Sequence, residues 1–260
     1  MAWETFVLEK KGNVGVITLN RPEKMNTMTT KFISEFNEVL DNVSQDPEIR
    51  VVVLRAEGKA FCAGGDFELL KQLDTGPKAR SIIREVGKAI GKMYHMPKPI
   101  IAAVQGAAAG GGANLALSCD FVIASEKARF GQAFINIGLV PDTGGMWTLT
   151  RSVGVMRAKE LAMTGRLIGA EEAEKYGMVL KVVPAEKLDE EVMTFAQQLA
   201  EQAPIAIGYI KQIANRMSDI SFEAYADLEA DLMAIALQTN DHKEGLAAFL
   251  EKRKPVFQGN

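Results

Sequence analysis

The sequence predicts an α/β protein whose C-terminal region is entirely helical. Two observations carry this expectation. The runs Val51–Leu54, Pro99–Val104 and Phe121–Ala124 are continuously apolar, as strands buried on both faces are, and helical patterns separate them. Beyond about Leu188 only helical patterning remains. Strand, crossover helix and parallel strand is the grammar of a layered α/β domain.

The elements follow in order. Phe6–Glu9 and Val14–Leu19 are short β-branched runs around Lys10-Lys11-Gly12-Asn13, which reads as a hairpin. Arg21–Asn26 breaks the pattern. Thr29 or Thr30 then serves as N-cap for a helix to about Ser44, with Phe32, Phe36, Val39, Leu40 and Val43 on one face. The strand Val51–Leu54 leads through a glycine-rich turn, Lys59–Asp66, into helical pattern from about Phe67 to His95. Pro99–Val104 precedes a second glycine turn and another helix, and Phe121–Ala124 is the third buried strand. After Gly144 the chain is helical apart from a strand at Val179–Val183. Helices Leu188–Glu201, Pro204–Arg216, Phe222–Leu237 and His242–Lys252 complete it. This divides the chain into an α/β core, residues 1–187, and a helical region, residues 188–260. Phe222–Leu237 is apolar on more than one side, which predicts packing against a core or another subunit, and hence a homo-oligomer.

Composition narrows the function classes. At 260 residues, 47% hydrophobic and 24% charged, the chain suits one well-cored domain. A net charge of −3 leaves no basic footprint, so no nucleic-acid partner is expected. Two cysteines, Cys62 and Cys119, and two histidines, His95 and His242, argue against disulfide frameworks, metal sites and histidine triads. Each cysteine reads as a small buried hydrophobe. No apolar run approaches the roughly 20 residues of a membrane span. Met1-Ala-Trp-Glu-Thr carries no leader pattern. A reduced, cytoplasmic protein is expected.

Three features carry chemistry. Ala60-Phe-Cys-Ala-Gly-Gly-Asp-Phe67 and Gly110-Gly-Gly-Ala-Asn114 each lie between a strand and a helix. Adjacent glycines admit close backbone approach, and N–H groups at a helix start favour negative charge. A tight turn with close helix packing explains either one equally well. Neither carries the spacing of a dinucleotide or P-loop fingerprint. The third is Gly138-Leu-Val-Pro-Asp-Thr-Gly-Gly145. Asp142 there is either an N-cap or, given the apolar run Ile137–Val140 and Pro141, a partly buried carboxylate with a raised pKa.

Taken together the chain resembles the crotonase, or enoyl-CoA hydratase/isomerase, superfamily. The carrying segments are Leu19-Asn-Arg-Pro-Glu-Lys-Met-Asn26, Ala60–Asp66, Val104–Asp120, Ala128-Arg-Phe-Gly131, Gly138–Gly145 and the stretch from His242 to Arg253. The resemblance implies a crotonase-like spiral of β-β-α turns, with a C-terminal helical trimerisation region and a homotrimer or homohexamer. It implies an oxyanion hole from the N–H groups of Gly65 and Gly111 around an acyl-CoA thioester carbonyl. CoA would lie along Ala63, Gly64, Gly65, Asp66 and Phe67 and near Lys24, and a neighbouring subunit's Phe249 and Lys252 would close over it. CoA is then part of the substrate, and no separate cofactor is implied.

The departures from the family pattern bear on the reaction. Hydratases of the family carry two glutamates, and those positions match Asn114 and Phe134, neither of which transfers a proton. Asn114 would bind water or a substrate oxygen, and Phe134 is either an apolar wall or core packing. Asp142 matches an acidic position of several isomerases of the family. The resemblance therefore implies an enoyl-CoA isomerase using Asp142 as acid/base. The alternatives are a hydratase or hydrolase of an unusual acyl-CoA, and a non-catalytic acyl-CoA-binding member. Leu69, Leu73, Ile82, Met146 and Trp147 are expected to shape an apolar acyl pocket.

Overall fold

The structure is a computed structural model and describes residues 3–260. Met1 and Ala2, on which the reading of the leader partly rests, lie outside the described residues. Strands β1 (Phe6–Lys11) and β2 (Val14–Leu19) form the expected antiparallel hairpin. Helix α1 (Thr30–Gln45) follows, and its N-cap is Thr29, which accepts from Phe32 N–H at 3.1 Å. Phe6, Phe32 and Phe36 meet beneath it, with ring centroids 4.7 to 5.9 Å apart.

Three successive units then repeat one plan. Strand β3 (Val51–Ala56) is followed by β4 (Ala60–Cys62) and helices α2 (Phe67–Gln72) and α3 (Gly76–His95). Strand β5 (Ile100–Val104) is followed by β6 (Ala107–Ala109) and α4 (Gly111–Leu117). Strand β7 (Phe121–Ser125) is followed by β8 (Arg129–Gly131) and α5 (Gly145–Thr164). The chain continues through β9 (Leu167–Gly169), α6 (Ala170–Lys175) and β10 (Lys181–Val183) to α7 (Leu188–Ala200), α8 (Pro204–Arg216), α9 (Phe222–Ala236) and α10 (Asn240–Glu251). The first strand of each unit joins a six-stranded sheet, β1-β2-β3-β5-β7-β10, parallel except for β1. The second joins a four-stranded sheet, β4-β6-β8-β9. These are the β-β-α turns that the family resemblance implies.

The continuous apolar runs face two cores. Val52, Leu54, Ile100, Ala102 and Val104 point into the larger one, beneath α1 and α3. Val51, Val53, Ile101 and Ala103 point the other way, onto Leu188, Val192, Ala196 and Ala200 of α7. Helix α7 thus covers the large sheet and packs with the core, so the boundary drawn at residue 188 cuts through one packed unit.

Other expectations are corrected locally. The second sheet lies in segments read as glycine turns, left unread or, for β9, read as helical. The helix from Phe67 to His95 is two helices, because Leu73 leaves helical geometry and Gly76-Pro77 starts a new first turn, where proline is tolerated. The strand at Val179–Val183 shortens to Lys181–Val183. Helix α5 kinks at Gly154 (φ 75°, ψ 162°). Among the described residues no helix is long and apolar enough to cross a membrane.

Candidate active site

Parallel pairing of β4 with β6 sets their carboxyl ends side by side. The two glycine turns leave from those ends and therefore meet. Gly64 (φ +94°) is where they touch: a Cβ on it would lie 2.8 Å from Ala109 O and 3.3 Å from Gly111 N. Gly112 is held as closely, since a Cβ there would stand 2.0 Å from Cys62 O. Both positions admit only glycine, so the turns are tightly packed and their backbone N–H groups are brought together as well.

Two of those N–H groups stand free of the surrounding ladders. Gly65 pairs with Met28 in an isolated parallel bridge made by Met28 N–H to Gly64 O (2.8 Å) and Asp66 N–H to Met28 O (3.0 Å). That pattern turns the N–H of Gly65 itself away from Met28. Gly111 is the first residue of α4, and first-turn N–H groups have no intrahelical acceptor.

The carboxylate comes from the third unit. Asp142 is half-buried, just before α5, and a Cβ on Gly111 would be 3.7 Å from its Oδ1. Thr143 Oγ1 donates to that oxygen at 2.8 Å. Burial raises the Asp142 pKa above the usual carboxylate value, with the Thr143 hydroxyl opposing, and no charged side chain contributes. Asp142 is not an N-cap: Gly144 occupies that position of α5. Its backbone carbonyl accepts from Gly145 N–H (2.8 Å) and from Asn114 Nδ2 (2.8 Å). Thr143 is buried at φ +53°, a strained conformation for a β-branched residue.

Asn114 lies behind the acidic turn. It is fully buried, donates to the Asp142 carbonyl, and accepts from Gln132 Nε2 at 2.7 Å. Both ends of its amide are thereby taken up by protein partners. Phe134 lies with its ring beside Gly110, where a Cβ would be 3.7 Å from its Cζ.

The remaining expected residues are scattered over turns, helices and core. Lys24 is exposed on the turn Pro22–Lys24, and the next carbonyl, that of Met25, accepts from Ala63 N–H at 3.0 Å. Asp66 caps α2 through Glu68 N–H (2.9 Å) and accepts from Thr27 Oγ1 (3.0 Å). Burial works to raise its pKa, but these hydrogen bonds, with Leu69 N–H and the charge of Arg21, hold it below the usual value. Phe67 is largely exposed beside it. Trp147 corrects a further expectation: it lies edge-on to Tyr94 and beneath the Arg151 guanidinium (3.3 Å), facing a cavity of about 560 Å³ against α8. Leu69 is buried in the core, and Leu73, Ile82 and Met146 pack against it. A second cavity, about 580 Å³, lies between the end of α3 and α8 and is lined by none of Gly65, Gly111 or Asp142. Burial raises the pKa of both cysteines, that of Cys62 to about 12, which keeps both as thiols.

Sequence reasoning missed four residues. Asn26 pins the Arg21–Met28 loop by donating to Glu57 O and Ala60 O, each at 3.0 Å. Met28, Gln132 and Thr143 surround Gly111 and Asp142 directly or through Asn114. None carries a residue-type signature, because each acts through its place in the fold.

Two glycine turns with free N–H groups at Gly65 and Gly111, and a half-buried carboxylate beside Gly111, come together on a β-β-α spiral. A family model described as "Enoyl-CoA hydratase/isomerase" matches residues 9–260. The chain belongs to that family. It is 39% identical to the 1,2-epoxyphenylacetyl-CoA isomerase of Escherichia coli, over 98% of each chain. It is 36% identical to the trans-2-decenoyl-[acyl-carrier-protein] isomerase of Streptococcus mutans, over 100% of each. A crystal structure of an enoyl-CoA hydratase from Bacillus anthracis superposes with a TM-score of 0.94 at 34% identity, covering 99% of this chain and 100% of that one. The chain is an enzyme of the enoyl-CoA hydratase/isomerase type.

Proposed function

We propose that the protein is an enoyl-CoA isomerase in which Asp142 is the single acid/base. The observation that carries this is the solitary carboxylate beside Gly111, with Asn114 and Phe134 where a hydratase of the family would place its glutamates. The N–H groups of Gly65 and Gly111 bind the thioester oxygen. Lys24 and the Ala63–Phe67 segment bind CoA, and Phe134 excludes water.

The carboxylate of Asp142 takes a proton from C2 of a 3-enoyl thioester. The electron pair moves through the thioester carbon to its oxygen, giving a dienolate that the two N–H groups stabilise. Protonated Asp142 then delivers the proton to C4, and the double bond closes between C2 and C3. Electrons and atoms balance, so the step needs no cofactor beyond the CoA carried by the substrate. A base close to its working pH is suited to both halves of the transfer, and the raised pKa of Asp142 supports that role. Backbone donors of this kind contribute about 10²–10³-fold each. The bare apolar faces of α9 and α10 support contact with further copies of the chain, and a homotrimer or homohexamer is the assembly proposed.

The test is incubation with 3-hexenoyl-CoA and 2-hexenoyl-CoA in D₂O, beside Asp142→Asn, with products read by mass spectrometry. Interconversion of the two esters, lost in the variant by about 10²–10⁴-fold, is expected. Formation of a 3-hydroxyacyl-CoA that depends on Asp142 would instead identify a hydratase. Tight binding without turnover of these esters or of a cyclic or epoxide ester would identify a binding protein.

A further inference from the structure

The orientation of Asp142 is set by a chain of amides whose direction is forced. The Asp142 carbonyl has only lone pairs to offer, so the Asn114 amide must face it with Nδ2, at 2.8 Å. That turns Asn114 Oδ1 toward Gln132, which must donate with Nε2, at 2.7 Å. Neither side chain is free to flip without setting acceptor against acceptor. Both are buried, Asn114 at 0% and Gln132 at 3% exposure. Gly145 makes room for the arrangement, because a Cβ on it would lie 2.1 Å from Asn114 Nδ2. Beyond the carbonyl, the peptide leads into Thr143 at φ +53° and Gly144 at φ +68°, so two left-handed residues follow the acid. A turn this strained keeps its shape only where its surroundings over-determine it.

We propose that Gln132 and Asn114 are positioning residues, an ordered amide pair that grips the Asp142 carbonyl and thereby aims its carboxylate at the space beside Gly111. The inference rests on the reading of Asp142 as the acid/base. It also accounts for position 114 in this chain: an amide is required where a carboxylate would repel the carbonyl it must hold. Glutamine at 132 is then the residue that keeps the amide from turning round.

The test uses Gln132→Met, which keeps the bulk and removes the donor, and Gln132→Glu, which replaces the donor with an acceptor. Circular dichroism and melting confirm the fold of each. Two quantities are then read in wild type and variants: kcat and KM for 3-hexenoyl-CoA, and the titration of the Asp142 carboxyl by ¹³C NMR, assigned by its loss in Asp142→Asn. The expected result is a kcat lower by about ten- to a hundredfold with KM little changed. The Asp142 titration moves down toward the usual carboxylate value in Gln132→Met, as the group swings into solvent. A residue that merely supports the fold would lower the melting temperature and leave the Asp142 titration in place. Unchanged kcat and unchanged Asp142 titration in a folded variant overturn the proposal. Full turnover by Asp142→Asn overturns the acid/base reading instead, and the titration still decides whether the amides position the carboxylate.

Discussion

Gly64 stands so close to the neighbouring glycine turn that a methyl group on it would lie 2.8 Å from Ala109 O and 3.3 Å from Gly111 N. The next residue is different. A methyl on Gly65 would meet only Leu70, at 3.7 Å, which is ordinary contact. Two adjacent glycines therefore serve separate ends, one for the fit of the turns and one for an open N–H.

Gly64→Ala is expected to destabilise the protein by about 1–3 kcal/mol or more, from the φ of +94° and the backbone overlap together. Gly65→Ala should melt within about 1 kcal/mol of wild type. Chemical denaturation of the two variants checks this, and equal losses would show that the close approach at Gly64 does not constrain the fold.

Asp142→Asn should raise stability while removing turnover. The folded-state pKa of Asp142 is raised by burial, so its neutral form is favoured in the fold. The stability this contributes is complete below the unfolded value of 3.8 and is lost as pH rises through the folded pKa. The variant should therefore melt higher than wild type at neutral pH, with the gap closing in acid. A melting series from pH 4 to 8 reads the gap directly. The same sign governs the rate: kcat/KM should rise with pH through a value above 3.8 as the base ionises.

Lys211 of α8 reaches into the core to donate to Met93 O (2.9 Å), Lys98 O (3.1 Å) and Asp120 Oδ2 (2.7 Å). Asp120 also accepts from Ile100 N–H at 2.7 Å, at the start of β5. Lys211→Met leaves a buried carboxylate without its cation and should cost about 3–5 kcal/mol. The double variant with Asp120→Asn should recover part of that loss. Urea unfolding of the three proteins gives the coupling, and strict additivity would mean that the pair does not act as a unit.

Helix α9 buries only Leu232, while Phe222 is 75% exposed, and Phe249 on α10 is 81% exposed. Sedimentation equilibrium should give a trimer or hexamer mass. Phe222→Lys with Phe249→Lys should shift it toward the monomer. A wild-type monomer at micromolar concentration would remove the assembly proposed for these faces.

The large sheet was legible because its strands, buried on both faces, read as unbroken apolar runs, as in Val51–Leu54. The small sheet was not. Its strands are three residues long, such as Ala60–Cys62 and Ala107–Ala109, and are built from residues that equally suit turns. The glycine pairs and Asp142 were visible as local motifs, since a turn that admits only glycine and a carboxylate in apolar company leave marks in the sequence. Gln132 and its hydrogen bond to Asn114 left none. Their significance is a hydrogen-bond direction between segments 18 residues apart, and only the fold brings those segments together. Trp147 misled for a related reason: it lies on the helix after the acid, but its side chain faces α8.

The close fit of the two glycine turns has a consequence for how such proteins diversify. Donors that belong to the main chain are inherited with the fold and survive replacement of nearly any side chain around them. Phe134 and Asp142 arrive separately, on the segment between β8 and α5, and can change without dismantling either turn. New reactions on this framework can thus arise by a few exchanges at those positions, with both glycine turns left intact.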